Sequence, residues 1–285
     1  MTVVEPGQAA TPGYRPGRTL RLRVELARQL ARRRTQVALG LVALLPVILW
    51  GAFQLSEPGP PGSLSLVDLA KTSGPNFTIF AIFASAGFLL VVVVALFFGD
   101  TVASEASWSS LRYLLAMPVP RARLLRQKAI VAAGLSLVAI LLLPAVALIV
   151  GSLTYGTGDL VSPSGESLTF GNAALHILFG ALYIAVHLSW VAGLALLLSV
   201  TTDAPLGAVG GAVMASIVSQ ILNTITALGD LRDVLPTHYG NAWSGLLADQ
   251  VDWGDMTRGV FSALAYCAVF VALAVWRFAR KDITS

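Results

Sequence analysis

Few groups in this chain suit covalent or acid–base chemistry, and they are scattered. The histidines His176, His187 and His238 lie far apart, and Cys267 is the single cysteine. One cysteine builds neither an intrachain disulfide framework nor a cysteine metal cage. No GxxxxGK[ST], GxSxG, HExxH or CxxC occurs, so the common nucleotide-binding, hydrolase, zinc-protease and redox signatures are absent. The expectation is no catalytic residue and no bound cofactor or metal. His187 falls inside an apolar run. An ionisable residue there is a functional candidate by default, but a neutral imidazole hydrogen-bonded to a neighbouring helix explains it equally well. The segment that mixes acidic and basic residues between two apolar runs is 99–128, GDTVASEASWSSLRYLLAMPVPRARLLRQK, which holds Asp100, Glu105, Arg112, Arg121, Arg123, Arg126 and Lys128.

These residues sit in a chain of unusual composition. Of 285 residues, 56% are hydrophobic and 12% charged, against about 25% charged in soluble domains. Mean hydropathy is +0.76. Six apolar runs, 37–55, 78–98, 129–153, 173–200, 205–228 and 260–278, approach or exceed the roughly 20 residues that span a hydrocarbon core. Lipid offers the backbone no hydrogen bonds, so each run is predicted to be a helix. Pro46 and Pro144 are expected to bend the first and third. The fold class is therefore an all-α membrane protein of six transmembrane helices. No Asp, Glu, Lys or Arg lies in the core of a run, which argues against a proton-coupled pump with a titrating relay.

The flanks have their own character. Residues 1–17 are rich in Pro, Gly and Thr and read as a disordered tail. The first apolar run begins only at Val37, so no cleavable signal peptide is expected. Residues 18–34 read as a basic amphipathic helix, with Leu20, Val24, Ala27 and Leu30 on one stripe and Arg21, Arg28 and Arg32 on another face. Such a helix is expected to lie in the interface with its arginines against anionic headgroups. Sixteen of the nineteen Lys and Arg residues fall in the N-terminal segment, the 99–128 connection and the C-terminus, which holds Arg277, Arg280 and Lys281; only Lys71, Arg232 and Arg258 fall in the opposite connections. The positive-inside rule then places both termini and 99–128 in the cytoplasm of a multi-pass plasma (inner) membrane protein.

Segment 99–128 resembles the cytoplasmic loop of type-2 ABC transporter permeases, the membrane subunits of ATP-driven exporters. Asp100 matches the acidic residue that closes the family's second span. Glu105 precedes a short helix ending in Leu114-Leu115, followed by Pro118-Val119-Pro120-Arg121 and by Lys128 opening the third span. Ser109-Ser110 departs from the Gly-Thr common there. Residues 18–34 look like the family's connecting helix, 235–247 like its short external helices, and Arg280-Lys281-Asp282 like its tail. The resemblance implies a coupling helix in which Glu105, Trp108, Leu111, Arg112, Leu114 and Leu115 dock a separate cytoplasmic ABC ATPase. ATP and Mg would bind in that partner. It also implies a second permease, identical or related, with no role for nucleic acid.

The apolar face Trp108, Leu111, Leu114 and Leu115, bounded by prolines, suits docking into a partner and also suits lying on the bilayer. Gln220 and Asn223 in the fifth run, and Phe80 and Phe83 in the second, are candidate contacts for an amphiphilic cargo: a drug, lipid or peptide-like molecule. Two other functions remain open at this point, a secondary transporter and a non-transporting scaffold or regulatory subunit.

Overall fold

The computed structural model of the chain describes residues 22–56, 65–107, 121–162, 167–247, 251 and 253–280. In chain order they form α1 (Leu22–Leu30), α2 (Arg33–Leu55), α3 (Leu66–Ala70), α4 (Gly74–Ala86), α5 (Leu89–Ser107) and α6 (Arg121–Tyr155). A small antiparallel pair follows, β1 (Leu160–Val161) and β2 (Ser167–Leu168), with Leu160 opposite Leu168. Then come α7 (Phe170–His187), α8 (Ser189–Thr201), α9 (Pro205–Thr224), the 3-10 segments Thr226–Val234 and Ala242–Leu247, and α10 (Trp253–Ala279). Among the described residues, six stretches are long and apolar enough to cross a membrane: α2, α5, α6, the α7–α8 pair, α9 and α10. The protein is thus multi-pass by length and composition, with the span number expected from its hydropathy.

Helix α5 is the centre of the bundle. It packs on α8, α9 and α6, and α10 packs on α8. Its faces are buried almost all round, from Leu90 through Val91, Val93, Val94 and Ala95 to Val102 and Ala103, as expected of a helix wrapped by other helices. By contrast α10 exposes Phe261, Leu264, Val269 and Leu273, an apolar surface suited to lipid or to another protein. Where α4 crosses α6, Gly74 faces Gly151. A Cβ on Gly151 would stand 3.0 Å from the Gly74 backbone, so this crossing is as close as glycine alone permits.

The element boundaries differ from the hydropathy reading in instructive ways. The predicted second span, 78–98, is two helices with an interruption at Gly87 and Phe88, and the second of them runs on to Ser107. The fourth, 173–200, is interrupted at Leu188. Pro46 and Pro144 lie buried inside helices that continue through them, so each withholds its own amide rung from the ladder without ending the helix. Residues 121–128 belong to α6, which leaves 108–120 as the connection, and those residues lie outside the described ones. The fifth helix stops at Thr224 rather than 228, where a 3-10 segment begins.

The helix expected over 18–34 is not one element. Leu22–Leu30 ends, the chain turns at Ala31 and Arg32, and α2 begins at Arg33. In α1 the less exposed residues are Glu25 and Gln29, whereas Leu22, Val24, Leu26 and Leu30 are exposed. The polar side of α1 therefore faces the bundle.

Candidate functional site

At the end of the bundle where α2 and α6 begin and α5 ends, three carboxylates and four cations interlock. Glu105 near the end of α5 accepts from Lys128 Nζ of α6 at 2.5 Å and from Arg28 Nη2 of α1 at 2.9 Å. Glu25 of α1 joins the same group, 2.7 Å from Arg28 and 3.3 Å from Lys128. One helical turn toward the centre, Asp100 holds Arg32 Nη1 at 2.9 Å and also binds Arg34. Ser104 donates to the Asp100 carbonyl at 2.6 Å and lies 3.5 Å from Arg32 Nη1. The side chains of Lys128 and Glu105 are 3% and 5% exposed. Stripping water from two such charges costs several kcal/mol each, which their attraction offsets only in good geometry. The same pair at the surface would be worth about 0–1 kcal/mol.

The local sequence builds this arrangement. Asp100, Ser104 and Glu105 recur at helical spacing on α5, and Gly99 beside them lets α5 approach α9. A Cβ on Gly99 would lie 2.9 Å from Val209 Cγ2 and 3.1 Å from its backbone nitrogen. Ser199 of α8 fixes α5 from the other side, accepting from the Val102 and Ala103 amides at 3.0 Å. Burial alone would push the Glu25 carboxyl upward, but Lys128 and then Arg28 outweigh it, and its pKa falls below the usual 4.5. Burial would likewise lower the Arg28 guanidinium, yet Glu25 and Glu105 carry it above its usual value. Arg28 and Arg32 thus meet carboxylates of the bundle, a correction to the expectation that the Arg21, Arg28 and Arg32 face meets lipid headgroups, and Arg34 of α2 joins them; Arg21 lies outside the described residues.

Of the docking residues expected from the sequence, Glu105 is at the heart of this cluster. Trp108, Leu111, Arg112, Leu114 and Leu115 lie outside the described residues. Glu25 and Lys128 were visible in the sequence as charges, but only the placement of α1 against α5 and α6 joins them to Glu105.

The four pathway candidates divide between two cavities. Phe80 and Phe83 line an apolar cavity of about 760 Å3 among α3, α4, β1 and the second 3-10 segment. Gln220 and Asn223 line a smaller one of about 240 Å3, with Gly87, His187, Trp190, Thr237 and Asn241. Gln220 Nε2 donates to the Gly87 carbonyl at 2.9 Å, at the point where the α4–α5 interruption frees an acceptor. Asn223 Oδ1 stands 2.7 Å from His238 Nδ1. His187 is buried and stacks on Tyr183 at 5.9 Å. Its Nδ1 has no hydrogen-bond partner among the described residues, so the expected bond to a neighbouring helix is not made through that atom. No cluster of metal-ligating side chains occurs among the described residues.

A family model described as a protein of unknown function, DUF2705, matches residues 48–284. The match takes in Asp100, Glu105 and Lys128 and begins beyond Arg28, Arg32 and Arg34. No curated protein matches the chain.

Proposed function

We propose that this chain, which belongs to the DUF2705 family, is the membrane-spanning permease subunit of an ATP-driven ABC exporter that moves an amphiphilic substrate out of the cytoplasm. The observation that carries the reading is the buried Lys128–Glu105 pair, joined at its exposed edge by Arg28 of α1. Glu105 and Lys128 bracket the 108–120 connection, which carries the family-like Trp108, Leu111, Arg112, Leu114 and Leu115. Ion pairs this well buried make the two ends of that connection, and α1 beside them, one firm mount. A partner that pushes on 108–120 then moves α5 and α6 rather than a slack loop.

In this reading a cytoplasmic ABC ATPase binds ATP and Mg and grips 108–120. A second permease, identical or related, completes the pathway in the plasma membrane, and both termini lie in the cytoplasm. The chain itself contributes no ATP hydrolysis, in line with the absence of a phosphate loop from its sequence.

Pull-down of the cognate ATPase by the membrane-embedded chain tests the proposal. Trp108→Ala and Leu111→Asp are expected to weaken the complex about thirtyfold, the effect of about 2 kcal/mol lost at a buried anchor. Unchanged capture by both variants, or ATP turnover by the chain alone, overturns it.

A further inference from the structure

The apolar cavity lies at the opposite end of the bundle from the ion cluster, where α2 and α6 finish and α4 begins. Its volume, about 760 Å3, falls within the range of roughly 300–1,000 Å3 typical of small-molecule sites. Leu66 and Leu69 of α3, Ile79 and Phe80 of α4, Leu160 of β1, and Leu247 form much of its wall.

The few polar side chains there are already used. Asn76 Nδ2 donates to the Val161 carbonyl at 2.7 Å, and its Oδ1 accepts from the Val161 amide at 2.9 Å. Ser244 Oγ donates to the Asn241 carbonyl at 2.8 Å. A polar or charged guest would be desolvated against these walls with few partners, whereas a hydrocarbon gains by leaving water. The walls are also held in place. Phe80 meets Phe53 edge-on at 5.0 Å, and Phe83 packs on Trp243 at 4.5 Å.

The mouth is apolar as well. Leu66 is 71% exposed and Phe83 45% exposed, so the cavity opens through side chains compatible with the hydrocarbon that surrounds a membrane protein.

We infer that this cavity holds an acyl chain of a bilayer lipid, inserted past Leu66 and Phe83 toward β1. The inference rests on the membrane-spanning character of the chain and not on the exporter reading, so either can stand without the other.

Photo-crosslinking tests it directly. The full chain is reconstituted in phosphatidylcholine vesicles containing a small fraction of phosphatidylcholine with a diazirine near the end of one acyl chain. After irradiation the adducts are mapped by mass spectrometry. Leu160, only 4% exposed, is reached through the cavity, so adducts are expected on Leu160 and Val161. Phe261 and Leu264, on the outward face of α10, report ordinary lipid contact.

Ala84 lies exposed on the cavity wall. Ala84→Phe should cut the Leu160–Val161 adducts at least tenfold and leave those on Phe261 and Leu264 unchanged, while Ala84→Ser should keep both. Leu66→Trp, at the exposed rim, repeats the block should Ala84→Phe fail to fold. No adducts at Leu160–Val161 in the native chain, or adducts undiminished by a folded blocking variant, overturn the inference. Loss of ATPase capture with these adducts intact would count against the exporter reading alone.

Discussion

Lys128 and Glu105 meet between α5 and α6, Nζ to Oε1 at 2.5 Å, with both side chains almost wholly buried. The pair joins two helices whose connecting residues, 108–120, carry the proposed docking surface. Removing one partner leaves the other buried with only its outer counter-charge, Arg28 for Glu105 and Glu25 for Lys128. Lys128→Met or Glu105→Gln is therefore expected to destabilise the bundle by about 3–5 kcal/mol. The double variant Lys128→Met/Glu105→Leu should lose clearly less than the sum. Thermal unfolding in detergent, read as a double-mutant cycle, measures this; additive losses would contradict the pairing.

The pH dependence follows from Glu25. Its folded-state pKa lies below its usual 4.5 because Lys128 and Arg28 outweigh burial. A depressed carboxylate contributes stability that is present above the unfolded value and lost as pH falls through the folded one. The melting temperature should therefore drop as pH is lowered past about 4.5. In Glu25→Gln the drop should be shallower, with the neutral-pH value already reduced. Identical acid profiles for the two proteins would show that Glu25 carries none of the effect.

Gly99 sets how near α5 comes to α9. Gly99→Ala places a carbon against Val209, and such overpacking costs about 1–3 kcal/mol. Val209→Ala should restore part of the loss, since it removes the Cγ2 contact but leaves the Val209 backbone nitrogen 3.1 Å away. Melting curves of the single and double variants check the direction; no rescue would mean the helices separate rather than shift.

Sidedness is measurable with single cysteines. After Cys267→Ala, Ser65→Cys and Ser244→Cys are expected to react with a charged maleimide added to sealed cells. Ser109→Cys should react only once the membrane is opened. Labelling of Ser109→Cys from outside would leave 108–120 out of reach of a cytoplasmic ATPase and remove the basis of the exporter reading.

The span number could be read from composition because hydrocarbon thickness imposes one length on every crossing helix, and apolar runs report length well. The interruptions at Gly87 and Leu188 could not be, since neither coincides with a proline. What marks the first is tertiary: Gln220, on a different helix, donates to the freed Gly87 carbonyl. The ion cluster was half visible. Asp100 and Glu105 stand beside basic stretches that offer Arg112, Arg121, Arg123 or the basic N-terminal helix as partners; the seven residues between Glu105 and Arg112 disfavour a pair within one helix, and the sequence does not choose among the rest. Arg28, Arg32 and Arg34 reach them only because the chain turns at Ala31 and Arg32, a turn that a continuous basic pattern hides. The division of Phe80 and Phe83 from Gln220 and Asn223 depends on which helices adjoin, and hydropathy carries no such information.

The two interruptions, at Gly87 and at Leu188, both border the small polar cavity. Both keep right-handed helical angles, and Leu188 keeps its own rungs, its amide donating to the Ile184 carbonyl and its carbonyl accepting from the Ala192 amide. The joint with an outside partner is the one at Gly87, between α4 and the central rod, where Gln220 acts as a pin between helices. Torque delivered at Ser107 would be transmitted stiffly along α5 as far as Leu89. Beyond that storey it would be taken up as a tilt of α4, the helix that carries Phe80 and Phe83.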